Sequence, residues 1–332
     1  MKIGVVGTGS VAQKNYIPCL AKIDDVELIY LNRTRAKAEA CAEQFGGRAA
    51  QSAADLMEDD PDAVLVLTGE RERYEAALEL LDYNPRRLFF EKPLVADRGQ
   101  AHVGEEDFAH GADLLARANA AGTETAMVFN YRFFDQTRRA MRLIAERGLG
   151  EVIQITGLVN YCCWSHCIDL IHHVAGPVAT LTALAGATVR KGAGNEAVDV
   201  TAAFVTQSGA VGTLIGTAGT GFTFPLYEMM VACENGRFTW RGLDGDLELL
   251  DNGTGVHEVF ALSRGTSRWD QYNASFGKSV GAYIDSIRKN APPPVPGVTG
   301  LLELQFEAAL RRSIRTGEPV DVQAEFPVVG DR

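Results

Sequence analysis

The sequence has no excess of positive charge. Its 332 residues carry 32 lysines and arginines against 43 aspartates and glutamates, a formal net charge of -11. That balance disfavours non-specific attachment to nucleic acid or to an anionic membrane, since both need a positive field. No apolar run is long enough to span a bilayer. Nor does a basic segment followed by an apolar one precede the first apolar strand. Cysteine is sparse: Cys19, Cys41, Cys162, Cys163, Cys167 and Cys233 lack the spacing of a disulfide scaffold. The expectation is a cytoplasmic, reduced protein with no nucleic-acid or membrane partner. Hydrophobic residues make up 46% of the chain, enough for a substantial core, and a chain of this length usually divides into two domains.

What is present begins at once. MKIGVV is a short apolar run that meets Gly7-Thr8-Gly9, and Ser10-Val11-Ala12 can open a helix. Strand, tight turn and helix start in that order leave free backbone N–H groups and a helix dipole aimed above the turn. Gly7 permits the turn, Gly9 lets a pyrophosphate approach the backbone, and Ala12 is small enough for close helix–strand packing. Gly7, Thr8, Gly9, Ser10 and Val11 are therefore candidate cofactor contacts.

A second strand, Val26 to Leu31, ends in Asn32-Arg33-Thr34-Arg35-Ala36-Lys37. In a dinucleotide fold an acidic residue here binds the 2′-hydroxyl of NAD, whereas a basic one accommodates the 2′-phosphate of NADP. No carboxylate stands at this tip. Asn32, Arg33, Thr34 and Lys37 are candidate contacts, and NADP is expected in preference to NAD. A solvated basic turn is the alternative.

Further units follow: helix Ser52 to Glu58, strand Ala63 to Leu67, helix Tyr74 to Leu81 and strand Arg87 to Phe90. Strands apolar on both faces, alternating with helices, indicate a doubly wound parallel sheet whose ligands sit beyond the strands' carboxyl ends. Thr68, Glu70, Glu91 and Lys92 occupy those ends and are further candidates. Lys92 beside a nicotinamide can hold a substrate hydroxyl and stabilise alkoxide charge; a solvated lysine is the plainer alternative. Ala96 to Glu106 reads as a surface loop without a chemical role. After helix Phe108 to Ala121 and strand Glu124 to Phe129, the chain is expected to pass into a second domain, giving domains 1–129 and 130–332.

The second region carries longer alternating strands: Gly150 to Val159, Thr180 to Val189, Asp199 to Thr206, Ala210 to Thr217, Tyr227 to Glu234 and Gly236 to Arg241. Gln207-Ser208-Gly209 and Glu234-Asn235-Gly236 suit hairpins. The expected fold is α/β: an N-terminal Rossmann-type parallel sheet, then an α+β domain on a largely antiparallel open sheet. A second subunit covering that sheet would make a homodimer or homotetramer. Helices are expected at Ser279 to Lys289 and Thr299 to Gly317. Neither the last helix nor the loop from Asp244 to Asn252 suggests chemistry.

Between two of those strands, Cys162-Cys163-Trp164-Ser165-His166-Cys167-Ile168-Asp169 leads into a helix stopped by Gly176-Pro177. His166 and Asp169 share a face, with His173 further along. His166 can accept a proton from an alcohol as hydride leaves, and Asp169 can receive a substrate hydrogen bond. Three alternatives stay open: a hydrogen-bonded core histidine, zinc on Cys162, Cys163, His166 and Cys167, and a reactive thiol at Cys162 or Cys163. Cysteines crowded on one helix do not easily close a tetrahedron, so no metal is expected. For a reactive thiol, only His166 is in sight as an activating neighbour.

Taken together, Gly7-Thr8-Gly9-Ser10-Val11-Ala12, Glu91-Lys92-Pro93, Asn130-Tyr131-Arg132, Gly150-Glu151-Val152 and the His166–Asp169 helix ending at Gly176 resemble the glucose–fructose oxidoreductase, inositol dehydrogenase and MocA family. The proline-rich connection Ala291 to Pro296 and the final helix also fit. The segment from Asn32 to Lys37 is similar to the NADP-phosphate motif of shikimate dehydrogenases. The resemblance implies reversible hydride transfer between a nicotinamide and a sugar, polyol or related hydroxy or keto compound. It places Lys92 and His166 in catalysis and Asp169 against substrate. It puts Asn130 beside the cofactor, makes Arg132 and Cys162 further substrate-side candidates, and implies a cis Lys92–Pro93 bond.

Three departures stand out. Cys162 replaces an aspartate that inositol-type enzymes carry one turn before the histidine, and a thiol supplies no fixed negative charge. The stretch from Val152 to His166 is short, and Thr68-Gly69-Glu70 replaces the usual proline and histidine. The expectation is an NADP-dependent dehydrogenase or reductase; its alternative is a catalytically silent dinucleotide-binding regulator or partner protein. A further class would eliminate or cleave through transient oxidation with the cofactor retained.

Overall fold

The computed structural model describes residues 1–219, 225–243, 245–261 and 265–328. The first apolar runs form β1 (Lys2–Val6), β2 (Glu27–Leu31), β3 (Arg48–Ala49), β4 (Ala63–Val66), β5 (Arg87–Phe90) and β6 (Glu124–Met127). They make one parallel sheet in the order β3-β2-β1-β4-β5-β6. Residues alternate between its two buried faces. Val6, Ile29, Val64 and Val66 point into one core; Ile3, Val5, Leu28, Tyr30 and Leu65 point into the other. Helices cover both: α1 (Ile17–Leu20), entered through a π-helical turn at Ala12–Tyr16, then α2 (Arg35–Phe45), α3 (Ala53–Glu58), α4 (Arg73–Leu81) and α5 (Glu105–Ala120). Ser52 caps α3 by accepting from Asp55 N at 3.1 Å.

After α6 (Asp135–Glu146), β7 (Val152–Asn160) leads to α7 (Trp164–Ala175), which Gly176 ends at φ 83°. The chain continues as β8 (Val178–Gly192), β9 (Asn195–Thr206), β10 (Val211–Thr217), β11 (Tyr227–Cys233), β12 (Gly236–Arg241), β13 (Leu247–Asp251) and β14 (Val256–Phe260). It closes with α8 (Arg268–Arg288), α9 (Val298–Thr316), β15 (Val320–Asp321) and α10 (Val322–Glu325). The second sheet runs β14-β13-β12-β11-β7-β10-β9-β8-β15 and is antiparallel except where β10 pairs with β7. Ile155, Leu214, Ala202, Phe204 and Leu181 fill its inner face. Thr156, Leu158, Val205, Val211, Thr213 and Ile215 stand on the other, exposed or half-buried.

The α/β fold is as expected, with three local corrections. The segment from Ala96 to Glu106 is not a surface loop: Ala96, Ala101 and Val103 are buried, and α5 begins within it at Glu105. The loop expected from Asp244 to Asn252 contains β13, whose inward Leu247 and Leu249 complete a hairpin with β12 (Asp244 itself lies outside the described residues). The helix expected from Ser279 starts at Arg268, where Ser267 and Asp270 form a capping box. That helix packs back on the first sheet: Phe276 meets Tyr16 with ring centroids 5.2 Å apart, and Tyr283 meets Phe89 at 4.8 Å.

Candidate active site

The carboxyl end of β1 turns at Gly7, whose φ is 92°, and a Cβ there would sit 2.6 Å from Thr68 N. Only glycine fits this crossing with the end of β4. At Gly9 an added Cβ would meet nothing within 4 Å, and Gly9, Ser10 and Val11 are exposed. The turn is thus held from below and open above, as a pyrophosphate requires. Thr8 is different: it is fully buried, and its N–H donates to Asn32 Oδ1 at 3.0 Å. Asn32 Nδ2 in turn donates to Thr34 O at 3.1 Å, so Asn32 ties the glycine turn to the tip of β2. Arg33, Thr34 and Lys37 are exposed there, and neither cation has an ionic partner among the described residues. Arg35 instead pairs with Glu39 at 2.7 Å. The residues present fit a nicotinamide dinucleotide.

At the end of β5, Glu91 Oε1 accepts from Tyr16 Oη at 2.9 Å and Oε2 accepts from Lys92 N at 2.5 Å. The Lys92–Pro93 bond is cis, as the resemblance implies. Lys92 Nζ donates to Gln100 Oε1 at 2.9 Å and approaches Cys162 O at 3.5 Å. This contact joins β5 to the start of α7. Arg73, buried at the start of α4, donates to Pro93 O and to Thr68 O, the latter at 2.8 Å. Glu70 O accepts from Ala96 N at 3.2 Å.

Trp164 through His172 are all buried. His166 lies flat on Tyr131, with centroids 4.0 Å apart and planes 11° apart, and its Nδ1 has no partner. Burial first, and the Lys92 ammonium second, push the imidazole well below its ordinary pKa, leaving it neutral at neutral pH. Asp169, fully buried, takes both hydrogen bonds of an Arg132 fork, at 2.8 Å from Nε and 2.5 Å from Nη2. Burial nevertheless raises its carboxyl to about 6, outweighing the arginine. The expected substrate contacts Arg132 and Asp169 are therefore engaged with each other. Asn130 is buried and donates to Ser275 Oγ at 2.8 Å, tying its turn to α8. His173 is carried to about 4 by burial and Arg132. Cys162 is half-buried with its Sγ 3.6 Å from that of Cys163, and no metal-holding cluster occurs among the described residues.

Several contributors were not anticipated. Gln100 and Arg73 position Lys92 and Pro93 from segments that read as a loop and a helix start. Glu303 and Glu307, one turn apart on α9, are fully buried, and neither carboxyl has a well-formed hydrogen bond. Burial raises both, and Ser165 and Trp164 at the start of α7 are their polar neighbours. The i, i+4 spacing of two glutamates on an apolar helix face was the signal available.

Residues 1–106 match the GFO_IDH_MocA family model, described as an oxidoreductase family with an NAD-binding Rossmann fold. Over that span, about a third of the chain, the sequence is similar to the Gfo/Idh/MocA oxidoreductase family. Among solved structures, the fold is similar to an oxidoreductase from Agrobacterium radiobacter in complex with NAD+, L-tartaric acid and magnesium. That likeness has TM-score 0.80 and 15% identity, and covers 98% of this chain and 99% of the other. It is similar also to the WlbA dehydrogenase from Bordetella pertussis in complex with NADH and UDP-GlcNAcA (TM-score 0.75, 19% identity, 96% and 97% covered). A third is the UDP-N-acetylglucosamine 3-dehydrogenase GnnA from Acidithiobacillus ferrooxidans (TM-score 0.75, 16% identity, 95% and 97% covered). At these identities the likeness is one of fold. No curated protein matches the sequence. The Gfo/Idh/MocA resemblance read from the glycine turn and the Glu91-Lys92-Pro93 step is borne out.

Proposed function

We propose that the chain is an NADP-dependent oxidoreductase acting on a hydroxyl or carbonyl carbon of a sugar, cyclitol or related compound. The observation that carries this is the approach of Lys92 Nζ to Cys162 O, which brings an ammonium to the turn that leads into the His166 helix. When bound, the dinucleotide supplies the hydride acceptor or donor. Gly9, Ser10 and Val11 would face its pyrophosphate, and Arg33 and Lys37 its 2′-phosphate. Thr68, Glu70, Glu91 and Asn130 would shape the rest of that side through the backbone segments they hold.

Lys92 would stabilise oxyanion charge on the substrate, with Gln100 holding its ammonium in place. His166, neutral at its ring, would accept the hydroxyl proton in oxidation and return it in reduction. Cys162 lines the same region. Asp169 acts on substrate through Arg132 in this reading. The second reading, a silent dinucleotide-binding partner protein, is favoured by the complete engagement of Asp169 by Arg132.

The division at residue 130 into a cofactor-binding and a substrate-binding domain belongs to the proposal. So does a homodimer or homotetramer through the uncovered sheet face that carries Leu158, Val211 and Ile215. All six cysteines are free, which supports a reduced, cytoplasmic setting. Among the described residues no helix is long and apolar enough to cross a membrane. The test is turnover of NADP with a panel of sugars, polyols and their keto forms. Steady reduction lost in both Lys92→Ala and His166→Ala supports the assignment; turnover unchanged in both overturns it.

A further inference from the structure

Three cysteines meet where α7 begins, and two of them are neighbours in sequence. Cys162 is half-buried and Cys163 and Cys167 are buried. The Sγ atoms of Cys162 and Cys163 lie 3.6 Å apart, and Tyr131 Oη lies 3.0 Å from Cys163 Sγ. Asn160 Oδ1 accepts from Cys162 N at 2.9 Å, holding the turn that carries both thiols. The groups that act on Cys162 are Lys92 and Cys163; Cys167, Tyr131 and Tyr272 are uncharged neighbours of the pair. The Cys163 hydrogen bond first, and the Lys92 ammonium, hold Cys162 below the ordinary thiol range, whereas Cys163 is pushed far above it. Cys162, the more exposed sulfur and the one on the residue that Lys92 Nζ approaches, is therefore the nucleophile, and buried Cys163 is the protonated reserve beside it.

We propose that Cys162 and Cys163 are a modification site for hydroperoxides, oxidised in two steps to a disulfide between adjacent residues. In the first step the Cys162 thiolate attacks the terminal peroxide oxygen. The O–O bond breaks, Cys162 becomes a sulfenic acid, and the alkoxide takes a proton from water to leave as an alcohol. In the second step Cys163 Sγ attacks Cys162 Sγ. The S–S bond forms, the S–O bond breaks, and the Cys163 proton leaves with the hydroxyl as water. The peroxide gains two electrons, one from each sulfur. The α-carbons of neighbouring residues are about 3.8 Å apart, less than the usual disulfide separation of roughly 4.4–6.8 Å, so thiols reduce the product readily. Closure moves the segment whose carbonyl Lys92 approaches. The thiol chemistry does not rest on the dehydrogenase reading, because it is read at the sulfurs alone.

The fold contains its own control. Cys19 is also half-buried, but burial raises its thiol. The full chain is treated with one equivalent of tert-butyl hydroperoxide, quenched with iodoacetamide and mapped by peptide mass spectrometry. The expected result is a 162–163 disulfide forming at least about tenfold faster than any change at Cys19, and reversed by dithiothreitol. Cys163→Ser is expected to stop at a Cys162 sulfenic acid that dimedone traps, and Cys162→Ser to abolish the fast reaction. Equal reaction at Cys19 and Cys162 overturns the proposal. So does a Cys162 sulfinic acid with Cys163 still alkylated; both are read on the wild-type chain whether or not the variants fold.

Discussion

The turn from Gly7 to Val11 and the helix α7 are built in opposite ways. The turn is exposed from Gly9 to Val11, with open space above Gly9, and it offers backbone. The helix is buried from Trp164 through His172, and its polar groups meet side chains from distant parts of the chain. Asp169 meets Arg132, Ser165 and Trp164 meet Glu303 and Glu307, and the carbonyl of Cys162 meets Lys92. A pyrophosphate is recognised by a local backbone shape, whereas proton transfer needs titratable groups placed out of bulk water.

The comparison breaks most directly at Lys92. Lys92→Ala is expected to lower kcat by about 10³-fold, the scale of a lost acid–base or oxyanion group, while dinucleotide affinity changes little. Stopped-flow turnover and a binding titration on the same preparation separate the two. Next in size is Arg132→Met, which leaves Asp169 buried without its cation. Asp169 is raised to about 6, above its unfolded value, so its contribution to stability is fully present below the ordinary aspartate range and lost as pH rises through 6. The variant is expected to lose about 3–5 kcal/mol at pH 8 in urea unfolding, and less at pH 5, where the carboxyl holds its proton.

The glutamates on α9 sharpen the contrast, because their burial outweighs Lys92 and Arg311, neither of which is hydrogen-bonded to them. Their raised carboxyls stabilise the protein at low pH and lose that contribution as pH rises past the ordinary carboxylate range. Glu303→Gln combined with Glu307→Gln is therefore expected to raise stability at pH 8 by about 1–3 kcal/mol and to change little at pH 4. Urea midpoints across pH give the answer. The smallest effect is at the open side. Arg33→Ser with Lys37→Ala is expected to weaken NADPH about tenfold, or roughly 1.4 kcal/mol, and NADH hardly at all.

The same contrast explains what could be read from the sequence. The parallel sheet, the glycine turn and the tip of β2 are local patterns, in which neighbouring residues carry the whole signal. Glu91-Lys92-Pro93 and the His166 helix were legible as motifs. Their partners were not, because Arg73, Gln100, Glu303 and Glu307 join the site only through packing of segments remote in sequence. Ala96 to Glu106 looked like a solvated loop from its charge and glycine content, yet Ala96, Ala101 and Val103 anchor it in the core and deliver Gln100 to Lys92. β13 carries little strand signal in the sequence, being only five residues long and followed directly by Asn252 and Gly253. Asp169 and Arg132 were each legible as candidates, but their pairing was not, since a bidentate pair across 37 positions leaves no local trace.

The most direct test of the central claim is a fluorescence titration of the purified protein with NADPH and NADH side by side. Both are expected to bind, with NADPH tighter by about tenfold or more through Arg33 and Lys37. Equal or tighter binding of NADH would contradict the reading of the β2 tip, and binding of neither would contradict the oxidoreductase assignment itself.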